Sequence, residues 1–126
     1  MTQPNLKATD VRVFVPAKDF KQSLRFYTLL GWQVGYQDDN LAQLELADSR
    51  FWLQNFYVQE WADNFMFQVN VDDAQAWHDH VTKILDKENF DNARLTPPKK
   101  EDYGAITTYV WDPSGVLIHF SQYLDT

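Results

Sequence analysis

At 126 residues, 44% of them apolar, the chain has the size and composition of one domain with its own core, and a second domain does not fit. A formal net charge of -7 argues against a sequence-independent phosphate binder, so nucleic acid is not an expected partner. The lack of Cys excludes disulfides, thiolate metal sites and thiol nucleophiles, and no apolar run approaches a membrane span or a signal core, so a cytoplasmic protein without membrane contact is expected.

Val11, Val13 and Val15 alternate with Arg12 and Phe14, which predicts a strand over Asp10 to Val15, stopped by Pro16. The valines form the face expected to pack under a helix. Asp19 is placed to cap that helix, whose apolar positions Phe20, Leu24, Tyr27 and Leu30, with Phe26 beside them, follow a 3.6 period up to Gly31. Three short strands follow at Trp32 to Gln37, Leu41 to Leu46 and Arg50 to Phe56, separated by turn sequences. Tyr57 to Asp63 reads as loop. Phe65 to Val71 alternates again, and Asp72-Asp73 opens a second helix to about Leu85, with Trp77, Val81 and Leu85 on one stripe. Lys87 to Pro98 reads as polar loop with one short strand near Ala93 to Thr96, and Lys99 to Tyr103 as a mobile stretch.

The last element is the most explicit. In Thr107 to Gln122, Asp112-Pro113-Ser114-Gly115 carries turn chemistry between two runs rich in β-branched and aromatic residues, which predicts a hairpin. In its second strand Val116, Ile118 and Phe120 share one face, and Leu117, His119 and Ser121 share the other.

Side by side, the two halves repeat: strand, helix, then strands. The interval from Arg12 to Asp19 equals that from Met66 to Asp73. The expected fold is therefore α+β, with two βαβββ modules at about residues 8–57 and 64–124. They form a curved open sheet, or half-barrel, with helices on the outer face and a ligand cleft on the concave face. Arg12, Phe14, Met66, Gln68 and Asn70 are placed on that concave face.

With these features the chain resembles the vicinal oxygen chelate superfamily of glyoxalase I, extradiol dioxygenases and bleomycin resistance proteins. The resemblance rests on VRVFVPAKDFKQSLRFYTLLGW, on its counterpart FQVNVDDAQAW, and on YGAITTYVWDPSGVLIHFSQ with its aromatic-Gly pair and D-P-x-G turn. It implies that enzymes of this kind bind a divalent metal through positions that fall here on Arg12, near Gln54, on Met66 and on His119. That set is poor, because Arg repels a cation, Met is soft and Gln is neutral; His119 alone is a good ligand. His78 and His80 stand two apart on a helix and do not share a face.

The chain is rich instead in rings, with 5 Trp, 6 Tyr and 9 Phe. Such a surplus suits either an aromatic-rich core or an aromatic-lined pocket. The expected ligand-binding set is Phe14, Trp52, Gln54, Phe56, Met66, Gln68, Tyr103, Thr107, Tyr109, Trp111 and His119, with Tyr36 and Trp61 near its rim. Stacking on these rings, oriented by a few polar groups, would hold a planar heteroaromatic ligand, and the acidic surface suits a cationic one. The resemblance thus implies metal-independent sequestration of a bulky, aromatic or partly cationic small molecule, with no cofactor, by a homodimer whose cleft lies at or near the subunit interface, in a branch that often exchanges the N-terminal segment. The alternative is a metal-dependent glyoxalase-like lyase or isomerase, or a dioxygenase relative, using His119 and a divalent metal.

Overall fold

Asp19 begins the first helix, α1 (Phe20–Leu30), by accepting the Gln22 N–H at 3.1 Å. Gly31 ends it at φ 128°, where a side chain would be strained, and its N–H closes the last turn on Thr28 and Tyr27. The computed structural model, which describes residues 3–124, repeats this device in the helix Ala74–Lys87, where Asp73 accepts the Ala76 N–H at 3.0 Å. Both caps stand at the positions the internal repeat assigned to them.

Each module keeps a sheet of its own. In the first, β1 (Phe14–Pro16) runs parallel to β4 (Ser49–Gln54), followed across the sheet by β3 (Leu41–Leu46) and β2 (Gln33–Gln37). A five-residue helix, α2 (Gln59–Asp63), occupies the stretch expected to be loop, and α3 is the Ala74–Lys87 helix. In the second sheet β5 (Met66–Asn70) runs parallel to β9 (Leu117–Tyr123), which pairs with β8 (Ala105–Trp111). β6 (Arg94–Leu95) and β7 (Lys99–Lys100) both pair with β8. This is the expected α+β architecture of repeated modules, with no closed barrel.

Three expectations need correction. The first strand starts at Phe14 and includes Pro16, which an edge strand tolerates because its other side needs no N–H. Val11 and Val13 do not join the core: Val11 is 87% exposed, and only Val15 of the three is buried. Lys99 to Tyr103 is not a free stretch, since Lys99 and Lys100 pair with Thr107 and Ile106 and the Glu101 N–H bonds Ala105 O at 2.8 Å.

The aromatic surplus goes largely into the core between sheets and helices. Phe20, Phe26, Tyr27, Trp32, Phe51 and Phe120 are buried there, and Trp77 stacks on Phe120 at 4.6 Å. Phe51 meets Phe67 at 5.4 Å and Trp32 meets Phe120 at 6.4 Å, so rings join the two modules. The β8–β9 turn adds a polar join. Asp112 is buried, and its Oδ1 accepts the N–H groups of Ser114 (2.8 Å) and Val116 (3.0 Å) while Tyr27 OH donates to Oδ2 at 2.7 Å. Ser114 Oγ accepts the Lys18 N–H at 2.8 Å and lies 3.2 Å from Ser23 Oγ, which fastens the hairpin to α1.

Candidate functional site

The outward face of the first sheet is a cross-strand row. Register places Tyr36 opposite Gln43, Gln43 opposite Trp52, and Trp52 opposite Phe14. Side chains directly opposite on neighbouring strands lie close enough to interact, and long ones reach one strand further. Phe14 stacks on Trp52 with centroids 6.4 Å apart and planes 18° apart, and Tyr36 meets Trp52 edge-on at 6.2 Å. The Arg12 guanidinium lies 5.9 Å above the Trp52 ring. Gln54 sits one pleat further along, opposite Pro16 and Leu41. A bulge between Val34 and Tyr36 leaves Gly35 beneath the Gln43 and Glu45 side chains, in space a Cβ would invade.

The corresponding face of the second sheet is polar. Gln68 on β5, His119 on β9 and Tyr109 on β8 are register partners across three strands. Thr107 and Ser121 form the next pair, with hydroxyls 2.9 Å apart. From Thr107 the chain of hydrogen bonds runs to Tyr103 OH at 3.0 Å. From Ser121 it runs to Gln68 Nε2, which donates to Ser121 Oγ at 3.2 Å and to Tyr123 OH at 3.1 Å. Tyr109 OH donates to Glu101 Oε1 at 2.9 Å, and its pKa is pushed up, first by desolvation and then by that bond. The His119 ring meets Tyr109 edge-on at 4.9 Å, and its buried Nε2 has no hydrogen-bond partner among the described residues. Burial lowers the His119 pKa against a weaker upward pull from Glu101, which favours the neutral imidazole.

Most of the expected site residues thus fall into two groups. Phe14, Trp52 and Gln54 share the first face; Met66, Gln68, Thr107, Tyr109, Trp111 and His119 share the second, with Tyr103 bonded to it. Phe56 belongs to neither, because it lies beyond the end of β4, 54% exposed, beside Trp61 at 6.2 Å. Trp61 itself packs on Phe56 and Phe65. Trp111 carries the Arg94 guanidinium 3.6 Å from its ring centroid, so one ring face is already covered. A groove of about 680 Å³ lies between the modules, with Val13 and Arg50 from the first and Gln68 and Asn70 from the second among its lining residues. A separate concavity of about 850 Å³ at the start of α1 is lined by none of the expected residues.

Sequence reasoning missed Tyr123, Glu101, Gln43 and Arg50. Tyr123 was within reach, since it continues the alternation His119, Ser121. Glu101 was not, because it lies in the stretch read as mobile.

The metal-ligand positions fail a fit test on their own chemistry. Counting from the matching caps Asp19 and Asp73, Phe14 is equivalent to Gln68, so its partner Trp52, and not Gln54, is equivalent to His119. Arg12 lies over Trp52, Met66 is 58% exposed, and His119 is the one good donor of the four. Among the described residues no three His, Cys, Asp or Glu side chains are grouped to hold a metal ion. Among the described residues no hydroxyl is hydrogen-bonded to His119 either, and Thr107 and Ser121 bond one another.

The chain thus holds two modules, each a strand, a capped helix and further strands, with a parallel pairing of first and last strand and an outward face of its own. No protein-family model matches the chain, and no curated protein matches it in sequence. Solved structures match its fold. A bleomycin-binding protein complexed with bleomycin gives a TM-score of 0.77 at 18% identity, covering 93% of this chain and 100% of that one. The bleomycin-binding protein from bleomycin-producing Streptomyces verticillus, complexed with copper(II)-bleomycin, gives 0.76 at 22% identity over 94% of this chain and 100% of its own. Lactoylglutathione lyase from Agrobacterium tumefaciens gives 0.69 at 12% identity over 92% and 95%. At these identities the likeness establishes the fold, and no helix among the described residues is long and apolar enough to cross a membrane.

Proposed function

We propose that the chain binds and sequesters a bulky, flat, partly cationic small molecule, in the manner of a bleomycin resistance protein, without a metal and without altering its ligand. The observation that carries this reading is the Tyr36–Gln43–Trp52–Phe14 row, a ring platform on an exposed sheet face where a core needs none. The second face supplies orienting groups, namely the amide of Gln68, the hydroxyls around Thr107 and the carboxylate of Glu101, and it lacks an activated nucleophile. Flat rings plus a few fixed polar groups are what a heteroaromatic ligand needs.

The two faces belong to different sheets, and residues 3–12 lie outside any strand, with Leu6 86% exposed. Both features support a homodimer in which one subunit's first face and its partner's second face share a cleft. Light scattering tests this directly: the dimer has twice the chain mass, and a monomer at micromolar concentration contradicts it.

The binding reading is tested by tryptophan-quenching titration of EDTA-treated protein with cationic and heteroaromatic antibiotics, bleomycin included. Saturable quenching by one class supports it, and a flat response to the whole panel overturns it. The alternative, a metal-dependent lyase or isomerase of the glyoxalase kind or a dioxygenase relative, is favoured by the unpartnered Nε2 of His119. It requires a stoichiometric divalent metal in untagged protein and its loss in His119→Ala.

A further inference from the structure

We propose that the first face includes an anion subsite, now filled by the chain's own Asp10, and that it accepts the carboxylate, sulfonate or sulfate group of an aromatic ligand. The inference deepens the sequestration reading and rests on it, since it names the chemistry of one end of the bound molecule.

Two guanidinium groups converge on one carboxylate there. Arg12 Nε lies 3.1 Å from Asp10 Oδ2, and Arg50 Nη1 lies 3.7 Å from the same oxygen. Both arginines are held from behind. Arg50 Nε donates to Glu45 Oε1 at 2.9 Å. With its amide oxygen turned toward Arg12, Gln43 accepts from Arg12 Nη1 at 2.6 Å and donates to Glu45 Oε1 at 3.2 Å. Gly35 leaves the space in which the Gln43 and Glu45 side chains lie. The pair is thereby fixed beside a ring, with Arg12 over Trp52. Planar guanidinium forks beside an aromatic face suit a flat molecule that carries a carboxylate or an oxyanion of sulfur.

Asp10 is the weak member. It lies in the segment without strand pairing, its side chain is partly exposed, and ion pairs of that kind contribute little to stability. When it leaves, Arg50 keeps Glu45 while Arg12 keeps no ion-pair partner among the described residues, and the cluster of Arg12, Arg50 and Glu45 carries one net positive charge. The overall charge of -7 does not cancel this. At physiological salt the Debye length is about 8 Å, so distant carboxylates are screened while the two guanidiniums act at contact.

The test uses three probes of one shape, 2-naphthoate, 2-naphthamide and 2-naphthylmethylammonium, titrated calorimetrically into the wild-type chain, Asp10→Asn and Arg50→Gln. Both positions are at the surface, and circular dichroism confirms that the variants fold. Naphthoate is expected to bind at least about threefold tighter than the amide, and the ammonium weaker than both. Asp10→Asn raises naphthoate affinity about threefold or more and leaves the amide unchanged; Arg50→Gln removes the preference, as does 0.5 M salt. Equal affinity for naphthoate and naphthamide, no naphthoate binding at millimolar concentration, or an unchanged naphthoate affinity in Asp10→Asn overturns the proposal. Antibiotic binding with charge-blind naphthyl probes sinks this inference alone. Naphthoate preference without any antibiotic binding sinks the sequestration reading alone.

Discussion

Asp112 is the buried group whose titration should be visible in the stability of the whole fold. Its carboxylate is fully buried in the β8–β9 turn, and desolvation raises its pKa to about 6 against the opposing bonds from Tyr27, Val116 and Ser114. An unfolded Asp titrates near 3.9, so between roughly pH 4 and 6 the folded chain binds more protons than the unfolded one. Stability from this group therefore rises as pH falls through 6. A folded pKa near 6 against 3.9 makes the gain about 2 kcal/mol between pH 7.5 and 4.5, with about 3 kcal/mol as its limit at lower pH. Other carboxylates titrate over the same range, so the assay is a difference. Urea unfolding of the wild type and of Asp112→Asn is measured at both pH values; the amide keeps the acceptor for Ser114 and Val116 but cannot ionise. The wild type should gain about 2 kcal/mol on Asp112→Asn on going from pH 7.5 to 4.5. A difference that does not change with pH, or one that shrinks as pH falls, refutes the reasoning and means that the three hydrogen bonds outweigh desolvation.

Trp52→Ala should weaken binding of the preferred heteroaromatic by about 1 kcal/mol or more, because Trp52 is the centre of the ring row, while Trp111→Ala should cost less because Arg94 already covers one ring face; calorimetry on both variants compares them. His119 should titrate below the ordinary histidine value of about 6.5 in an NMR pH series, so binding that depends on its neutral form is flat above that pH and falls below it. Thr107→Val removes the hydroxyl that links Tyr103 to Ser121 and should cost about 1–2 kcal/mol in urea unfolding. Gly31→Ala should cost about 1 kcal/mol or more by the same measurement, since φ 128° strains any side chain.

What the sequence made legible was local. Asp19, Gly31, Asp73 and the Asp112 to Gly115 turn each act on backbone within four residues, and each does what its chemistry suggested. The alternation in β9 also separated correctly the Ile118/Phe120 core face from the His119/Ser121 face. What failed was non-local. Val11 and Val13 have the period of a buried strand, but period does not say where the pairing ends, and of this segment β4 takes Phe14 to Pro16 as register partners and Val13 by its carbonyl alone. Lys99 and Lys100 look like solvated loop, yet their backbone finds β8. Trp111 reads as an open stacking surface until Arg94 arrives from a strand seventeen residues earlier. Phe56 kept the alternation of β4 past the point where the strand stops. The ring count was ambiguous for the same reason: six aromatics are buried in the core, and only the three-dimensional register shows that Tyr36, Trp52 and Phe14 form a row outside it.

The central claim is that the chain holds its ligand without a metal and returns it unchanged. Calorimetric titration of EDTA-treated protein with bleomycin and related compounds, followed by mass spectrometry of the recovered ligand, tests it most directly. The account predicts saturable binding that added Zn, Mn, Fe or Ni does not strengthen, and a ligand recovered at its original mass. Binding that vanishes with EDTA and returns with a divalent metal, or a ligand recovered with altered mass, would contradict it.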